Sequence, residues 1–261
     1  MPNAEKIRSY LSERVSDIDI FVYDCVTSTN DLAKEIIQNG CASETVIISR
    51  KQTAGRGRRG RSFFSPDSTG VYMSIILRPA FPVELFSLLT PAAAVATSKA
   101  MEKVSGKKVD IKWINDIFLD GKKICGILCE TSCQDNRSPK HIIVGIGINL
   151  CEPQGGFPAE IAEIASSLFG CALPSEDVTS MLCAEIINLL AGYCDCIDKR
   201  TFIQEYKERM FLLGKEITVI SPESTYSAVA TDIDSDAHLV VTLADNSRRI
   251  LNAGEISIKK Q

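Results

Sequence analysis

Apolar and polar residues follow one another in patterns that predict alternating strands and helices over most of the chain. Ser28-Thr29-Asn30-Asp31 precedes an amphipathic run that Gly40 closes, which predicts a capped helix from about residue 30 to residue 39. An alanine-rich segment predicts a long helix from about 86 to 104, and further helices are expected between about 178 and 210. Short apolar runs predict strands at 46–48, 71–77, 110–113 and 142–148. The pattern indicates a mixed α/β domain.

A hairpin is marked by the dipeptide Asp120-Gly121. The apolar runs 117–119 and 124–128 flank this dipeptide, and Asp-Gly between such runs favours a tight two-residue turn. The strand predicted next carries Gly145 and Gly147, where a side chain would crowd anything that approaches the backbone. The hairpin and this strand are therefore expected to lie close to a ligand or to another segment.

The pattern changes after Leu213-Gly214. From there, short segments with alternating apolar residues predict strands around Ile217, residues 239–243, Ile250 and Ile256. Such a run of short strands suggests a small β-barrel or sandwich appended to the α/β domain. We therefore expect two domains, residues 1–211 and residues 212–261.

Composition and charge narrow the class of protein. The 261 residues are enough to bury a large core, and 45% hydrophobic with 24% charged residues is ordinary for a globular protein. A net charge of −4 argues against a chain that binds nucleic acid over its whole surface. The N-terminus has charges every few residues, and no segment runs apolar for about 18 residues. We expect a soluble, cytoplasmic protein with no membrane partner.

The ten cysteines predict reduced thiols rather than a disulfide scaffold, because the chain is long and shows no export signal. The sequence contains no CxxC pair and two histidines. A structural zinc site is thus poorly supported, since its ligands usually come as closely spaced pairs.

The segment Gly55-Arg56-Gly57-Arg58-Arg59-Gly60-Arg61 is the most informative part of the chain. Its glycines let backbone N–H groups approach phosphate oxygens, and its arginines offer planar, bidentate donors to phosphate or carboxylate. A solvated flexible loop or a weak RNA-binding patch is the alternative interpretation. This segment by itself does not decide between them.

A second group of polar residues surrounds the predicted hairpin. Asp116 could hold Mg²⁺, an ion that prefers oxygen ligands, while Lys112 and Lys123 could neutralise phosphates. Asn115 could read a base edge or a ribose. Each residue also has a structural alternative, since Trp113 could belong to the core, Asp116 could cap a turn, and lysines are usually solvated.

A third group, Val144-Gly145-Ile146-Gly147-Ile148-Asn149-Leu150, ends a buried strand with one polar amide. Asn149 is either a turn former at the strand end or a ligand contact. The spacing is not GxGxxG, and no Walker A sequence occurs in the chain. Any ATP would therefore be bound without either of these phosphate loops.

The order and spacing of these groups resemble the biotin protein ligase family over nearly the full chain. The resemblance is carried by Ser28-Thr29-Asn30, the loop Gly55 to Arg61 with Phe64-Ser65-Pro66, Lys112-Trp113-Ile114-Asn115-Asp116, Lys123 to Gly126, Gly147-Ile148-Asn149, and Gly254-Glu255-Ile256-Ser257. It implies a catalytic domain like those of class II aminoacyl-tRNA synthetases, with a small SH3-like C-terminal domain. It also implies a form without the N-terminal DNA-binding domain, because too few residues precede the first strand for a helix-turn-helix.

The resemblance implies roles for individual residues. Biotin would be bound by Ser28, Thr29, Asn30, Gln52, Gly55, Arg56, Gly57, Arg58, Lys123 and Gly126. The nucleotide would be bound by Arg58, Phe63, Lys112, Asn115, Asp116, Lys123 and Asn149. Arg58 and Lys123 would be the catalytic residues, Asp116 would hold Mg²⁺, and Gly126 and Gly147 would keep the floor of the site close to the ligand. The loop from 55 to 64 is the candidate lid.

The implied function is activation of biotin with ATP and Mg²⁺ to biotinyl-AMP, followed by transfer to a lysine of a biotin carboxyl carrier protein. A homodimer is compatible with the family, and no DNA partner is expected. The chain departs from the family at Ile114, where proline is common, and at Phe63, where tryptophan is frequent. A lipoate ligase or lipoyl transferase is the first alternative, and a nucleic-acid-binding regulator is the second.

Overall fold

The computed structural model describes residues 2–40, 43–132, 141–220 and 224–258. The α-helices, in chain order, are α1 Ala4–Ser9, α2 Thr29–Gln38, α3 Leu89–Ser105, α4 Val178–Asp195 and α5 Ile203–Glu208. The strands are β1 Asp19–Tyr23, β2 Thr45–Ser49, β3 Gly70–Leu77, β4 Asp110–Lys112, β5 Asp116–Leu119, β6 Lys122–Ser132, β7 His141–Asn149, β8 Glu216–Ile220, β9 Thr225–Ile233, β10 Leu239–Thr242, β11 Arg248–Leu251 and β12 Glu255–Ile258. Among the described helices, none has both the length and the apolar character needed to cross a membrane.

The described residues form two separate sheets. The first has seven strands in the order β1-β2-β3-β7-β6-β5-β4, and its β1–β2 pair is parallel whereas its other pairs are antiparallel. The second has five antiparallel strands in the order β11-β10-β9-β8-β12. The prediction of an α/β domain followed by a small all-β domain is confirmed. The boundary between residues 211 and 212 stays a prediction, and residues 259–261 lie outside the described part.

Both faces of the large sheet are covered by helices, which explains why β2 is buried at all five positions. Val46 and Ile48 belong to the main core, which includes α3 and α4, whereas Ile47 packs with Ala33 and Ile37 of α2 on the opposite face. Because side chains alternate along a strand, every second residue of β2 counted from Ile47 also faces α2. The helix α2 covers only part of its face, and the remainder is available for a site.

Local signals position the segments around that face. Ser28 is the N-cap of α2, and its hydroxyl accepts a hydrogen bond from the Asp31 N–H at 3.5 Å. Asp120 and Gly121 have φ of 50° and 77°, as a primed turn requires, and they join β5 to β6. The long helix predicted from residue 86 begins as a 3₁₀ turn, Val83–Leu88, and becomes α-helical at Leu89. These boundaries shift by a few residues from the predicted ones.

Eight cysteines fall within the described residues, and all of them are free thiols. Burial raises the pKa of Cys129 to about 11 and raises the pKa of Cys125 and Cys183 strongly. These side chains behave as small core residues, because a thiol with a high pKa is a poor nucleophile at neutral pH.

One ion-pair cluster fastens α5 to α3. Arg209, with 15% of its side chain exposed, donates to both carboxylate oxygens of Glu102 at 2.6 and 2.9 Å and to Glu205 at 2.7 Å. Burial raises the pKa of Glu102, but hydrogen bonds from Arg209 and from the Val109 N–H lower it more, so the net pKa lies below 4.5. Because the folded pKa is depressed, the ionised pair stabilises the fold above pH 4.5, and this contribution is lost as the pH falls through the folded pKa.

Arg209→Met is therefore expected to lower the free energy of unfolding at neutral pH by about 2–3 kcal/mol, between the values for exposed and fully buried pairs. The difference from the wild type should shrink below pH 4.5, where Glu102 becomes protonated. Urea unfolding of the variant and the wild type, at neutral pH and below pH 4.5, measures this difference in the free energy of unfolding. Lys103→Met is the control. Lys103 pairs with Glu185 but is 61% exposed, so this substitution should lower the free energy of unfolding by less than about 1 kcal/mol. Equal losses in the two variants would contradict the assignment.

Candidate active site

A cleft lies over the part of the large sheet that α2 leaves uncovered. Ile76 of β3 and Ile143 of β7 pack against α2 on this side of the sheet. Because side chains alternate along a strand, every second residue counted from these isoleucines faces the same side. Further along the same face, β7 carries Gly145 and Gly147, and β3 carries Tyr72. Three of these face-lining positions, Gly145, Gly147 and Tyr72, line the cleft. The absence of side chains at the two glycines makes the sheet surface concave there.

The first turn of α2 and Gln52 form one wall. The Gln52 side-chain oxygen accepts a hydrogen bond from the Thr29 N–H at 2.8 Å and lies 3.2 Å from the Thr29 hydroxyl. Its amide nitrogen donates to Ser65 Oγ at 2.9 Å, which in turn donates to the carbonyl of Phe63. Ser28, Thr29 and Asn30 are each below 5% exposed. This wall thus presents polar groups whose orientations are fixed by neighbours.

The floor is a pair of glycines covered by an aromatic ring. Gly126 of β6 and Gly147 of β7 are direct partners across the two strands. A Cβ on Gly147 would lie 2.6 Å from the Phe63 ring, and a Cβ on Gly126 would lie 3.3 Å from it. Phe63 therefore rests directly on the backbone of both strands. The sequence predicted a close approach at these glycines, and in this structure the approaching group is Phe63.

The arginine-rich loop folds back on itself across the cleft. The Gly57 N–H donates to the Arg61 carbonyl at 2.7 Å, and the Phe63 N–H donates to the Gly55 carbonyl at 2.8 Å. Arg56 donates through Nε to Asp31 of α2 at 2.7 Å. These contacts hold the loop in a defined conformation, unlike a solvated flexible segment.

The opposite wall comes from the hairpin and its preceding turn. Arg58 Nη1 donates to Asn115 Oδ1 at 3.1 Å, and Asn115 Nδ2 donates to the Ile127 carbonyl at 2.7 Å. Lys123 Nζ lies 2.6 Å from Asp116 Oδ1. Lys112 Nζ lies 5.7 Å from the centre of the Phe118 ring. Arg58 and Lys123, which are 65 positions apart in sequence, thus border one cavity.

The electrostatic character of the cleft is strongly cationic. Among the described residues, its lining contains six cations and one carboxylate: Arg56, Arg58, Arg59, Arg61, Lys112, Lys123 and Asp116. The excess of cations in this open cleft favours a ligand that carries several negative charges.

Most of the site residues predicted from the sequence line this cleft. They are Ser28, Thr29, Asn30, Gln52, Arg56, Gly57, Arg58, Phe63, Lys112, Asn115, Asp116, Lys123, Gly126 and Gly147. Gly55 and Asn149 are not part of the lining. Gly55 supports the loop from behind, because a Cβ there would overlap Gln52 and Ser65, and the Asn149 amide donates to the Ser166 carbonyl at 3.0 Å.

Other lining residues were not predicted as ligand contacts. They include Tyr72, Trp113, Ile127, Leu128, Gly145, Ile146, Gly254 and Ile256. Gly254 directly precedes β12 and Ile256 lies in it, so the small domain also borders the cleft. Trp113 is buried as a core residue, and its Nε1–H donates to the Ala237 carbonyl in the small domain at 3.0 Å. Tyr72 of β3 lies directly opposite Gly147 of β7, a register that the sequence alone does not show.

Outside the cleft, Asp234, Asp236 and His238 form a group of possible metal ligands within the described residues. Asp236 pairs with Arg200 at 2.8 Å, and Asp234 accepts hydrogen bonds from the backbone N–H groups of Asp236 and His238. These contacts stabilise the turn between β9 and β10.

The fold and the cleft together define a class of protein: an α/β domain, completed by a small β-domain, with a cationic cleft suited to an anionic ligand. Residues 22–149 match the family described as the biotin/lipoate A/B protein ligase family, and residues 212–259 match the biotin protein ligase C-terminal domain. The chain belongs to this family, as a biotin protein ligase, and the prediction of the family is confirmed.

Individual relatives agree with this assignment. The bifunctional ligase/repressor BirA of Bacillus spizizenii is 40% identical, over 95% of this chain and 77% of the relative. The biotin--[acetyl-CoA-carboxylase] ligase of Mycobacterium tuberculosis is 26% identical, over 88% of this chain and 85% of the relative. The structure of biotin protein ligase from Aquifex aeolicus in complex with biotin and ATP superposes with a TM-score of 0.73 at 25% identity, covering 93% of this chain and 99% of the other.

Proposed function

We propose that this chain activates biotin with ATP to give biotinyl-AMP and then transfers the biotinyl group to a lysine of an acceptor protein. The observation that supports it best is the convergence of Arg58 and Lys123 on one cleft that the first turn of α2 also borders. Relatives named as biotin ligases, and a related structure that holds biotin and ATP, support the same reaction.

In the first step, a biotin carboxylate oxygen attacks the α-phosphorus of ATP, a P–O bond forms, and the bond to the departing pyrophosphate breaks. Two anions must approach each other, so positioning and electrostatic stabilisation are the needed contributions. We assign Arg58 and Lys123 to the carboxylate and the α-phosphate, with Lys112 near the other phosphates. Asn115 and Asn149 are assigned to the adenine; Asn149 is not part of the lining, and its amide donates to the Ser166 carbonyl.

In the second step, the ε-amine of the acceptor lysine attacks the carbonyl carbon of biotinyl-AMP. A C–N bond forms, the C–O bond to AMP breaks, and the amine proton is released to solvent. The mixed anhydride must be shielded from water until the acceptor arrives. We assign this shielding to the loop 55–64, which already covers the cleft through contacts of Arg56 with Asp31 and of Phe63 with the glycine floor.

Magnesium fits the donor set of the cleft. Asp116 offers a carboxylate whose Oδ1 is buried and lies beside Lys123. Mg²⁺ is commonly bound through one or two carboxylates together with substrate phosphates, so one aspartate suffices. The ion would neutralise phosphate charge when ATP is bound, and Asp116 would hold it.

The acceptor is proposed to be the biotin carboxyl carrier protein or domain of a biotin-dependent carboxylase, since a relative is named as a ligase for acetyl-CoA carboxylase. A cytoplasmic location accords with that acceptor. The homodimer and the absence of DNA binding stay predictions.

The direct test is incubation of the chain with biotin, MgATP and a purified carrier domain. The expected result is AMP and pyrophosphate release with biotin on one carrier lysine, and no transfer after chelation of Mg²⁺. Adenylation of lipoate instead of biotin would replace this proposal with the lipoate ligase alternative.

A thermal-shift measurement gives a second prediction. Biotin with MgATP at about 100 times the dissociation constant should stabilise the folded state by about 2.7 kcal/mol, seen as a rise in Tm. Lipoate with MgATP should raise the Tm no more than MgATP alone, because its ring lacks the amide groups that match the polar wall around Thr29 and Gln52. A rise with lipoate equal to that with biotin would contradict the expected selectivity.

A further inference from the structure

We propose that Glu130 is a positioning residue that fixes the direction of hydrogen bonding in the wall of the cleft, so that the Thr29 hydroxyl can accept a hydrogen bond from a ligand but not donate one. The inference rests on the proposed function and specifies how the site would select a cyclic urea. Glu130 does not line the cleft. It would act through Asn30.

A series of hydrogen bonds connects Glu130 to the wall of the cleft that faces the ligand. Asn30 Nδ2 donates to Glu130 Oε2 at 2.8 Å and, more weakly, to the Leu128 carbonyl at 3.4 Å. On its other side, Asn30 Oδ1 accepts from Ser74 Oγ at 2.6 Å. Ser74 Oγ lies 2.7 Å from Thr29 Oγ1, and both residues are buried. Each link is short enough that a proton must lie between the two heavy atoms.

The direction of these hydrogen bonds follows from counting the protons that each side chain can donate. A carboxylate only accepts, so Glu130 requires the NH₂ group of Asn30 on its side and leaves the amide oxygen facing Ser74. Ser74 has one hydroxyl proton and gives it to that oxygen. The proton of the 2.7 Å contact between Ser74 and Thr29 must then come from Thr29. The Gln52 oxygen, 3.2 Å from the Thr29 hydroxyl, still accepts a shorter hydrogen bond from the Thr29 N–H at 2.8 Å. The Thr29 hydroxyl proton is therefore used within the protein, and its oxygen is left to accept.

Glu130 is held in the ionised state that this role requires. Lys34 Nζ lies 2.7 Å from Glu130 Oε1 and 3.9 Å from Asp31. Burial raises the pKa of Glu130, but hydrogen bonds from Lys34 and Asn30 and the charges of Lys34 and Arg56 lower it more, so the net pKa lies below its ordinary value. The carboxylate is therefore charged at neutral pH and accepts hydrogen bonds without donating any.

This direction of hydrogen bonding decides which ring atom of a ligand can lie beside Thr29. A ring N–H placed against Thr29 finds an acceptor there, whereas a ring oxygen at the same place finds only lone pairs. Satisfying a ring oxygen would require Thr29 to withdraw its proton from its protein partners, leaving close oxygen atoms unpaired at a high cost. Biotin carries two ureido N–H groups, and replacing either N–H by oxygen gives a cyclic carbamate of nearly the same shape.

The test compares biotin with the two cyclic carbamate analogues in the adenylation assay, using the wild type and Glu130→Gln. Glutamine keeps the shape but can donate through its NH₂ group, so Asn30 can reverse, Ser74 can donate to Thr29, and the Thr29 proton becomes available to a ring oxygen. We expect the ratio of kcat/KM for biotin to that for one carbamate to fall by about tenfold, mainly through KM, with kcat for biotin preserved.

Two further variants separate positioning from general damage. Glu130→Asp keeps an acceptor-only group and should retain the wild-type ratio even if both substrates bind more weakly. Glu35→Gln removes one charge from the exposed side of α2 and should change nothing. A Glu130→Gln enzyme that loses activity equally with biotin and both carbamates would overturn the inference. A wild type that adenylates none of the three compounds would instead overturn the proposed function.

Discussion

Replacing Lys123 or Arg58 with alanine is expected to lower the rate of adenylate formation by about 10²–10³-fold, the usual effect of removing one preorganised donor from a charged transition state. Both side chains border the same cavity, and each is held by a neighbour: Lys123 by Asp116 at 2.6 Å and Arg58 by Asn115 at 3.1 Å. Single-turnover release of pyrophosphate measures the first step without the acceptor.

The adjacent Lys122 offers a matched control. Its ammonium group donates to the Ala162 carbonyl at 3.3 Å, and the residue does not line the cleft. Lys122→Ala changes the net charge by the same amount as Lys123→Ala and should keep nearly the full rate. Thermal unfolding of all variants should remain cooperative. A normal rate in Lys123→Ala or Arg58→Ala would remove that residue from the reaction centre.

The second large effect is expected for Gly145→Ala. A methyl group at this position would overlap Asn30 Oδ1 and lie 2.9 Å from Asn30 Cγ and Nδ2. Asn30 cannot move aside cheaply, because Glu130 and Ser74 hold it from both ends. Overpacking of this kind costs about 1–3 kcal/mol, so affinity for biotin should fall by about 10- to 100-fold. Isothermal titration with biotin measures the change.

Gly192→Ala provides the contrast. Gly192 lies in the exposed part of α4, and a Cβ there would meet nothing within 4 Å. Alanine is the better helix former, so this variant should be more stable by up to about 1 kcal/mol and should bind biotin normally. Equal biotin affinity in the two alanine variants would mean that the packing between β7 and Asn30 is not needed for the site.

Sequence patterns were sufficient for those parts of the fold that depend on neighbouring residues. The capped helix after Ser28 and the Asp120-Gly121 turn both appear as predicted, because caps and primed turns are set by local backbone preferences. The strand Thr225–Ile233 was not predicted, since small and polar residues such as Thr, Ser and Ala weaken its alternation. The six-residue helix Ala4–Ser9 is too short for helical periodicity to show.

The residues of the candidate site were likewise predictable from the sequence only in part. The arginine loop and the Lys112 to Asp116 segment were found because charge and glycine clusters are visible in sequence. Ser74 and Glu130 were not, because each is a single polar residue in a strand whose role depends on the register between β3, β7 and β6. That register is decided by packing across the whole sheet.

The hydrogen bond from the Trp113 indole to Ala237 bears on how the chain can be handled in the laboratory. Trp113 stands between Lys112 and the Asn115-Asp116 pair, and its ring also lies close to Gly254, which directly precedes β12. A shortened protein that stops before residue 212 would leave this indole N–H without its acceptor, directly beside Lys112 of β4. Screening for inhibitors should therefore use the intact polypeptide, because the indole held by the small domain also lines the cleft.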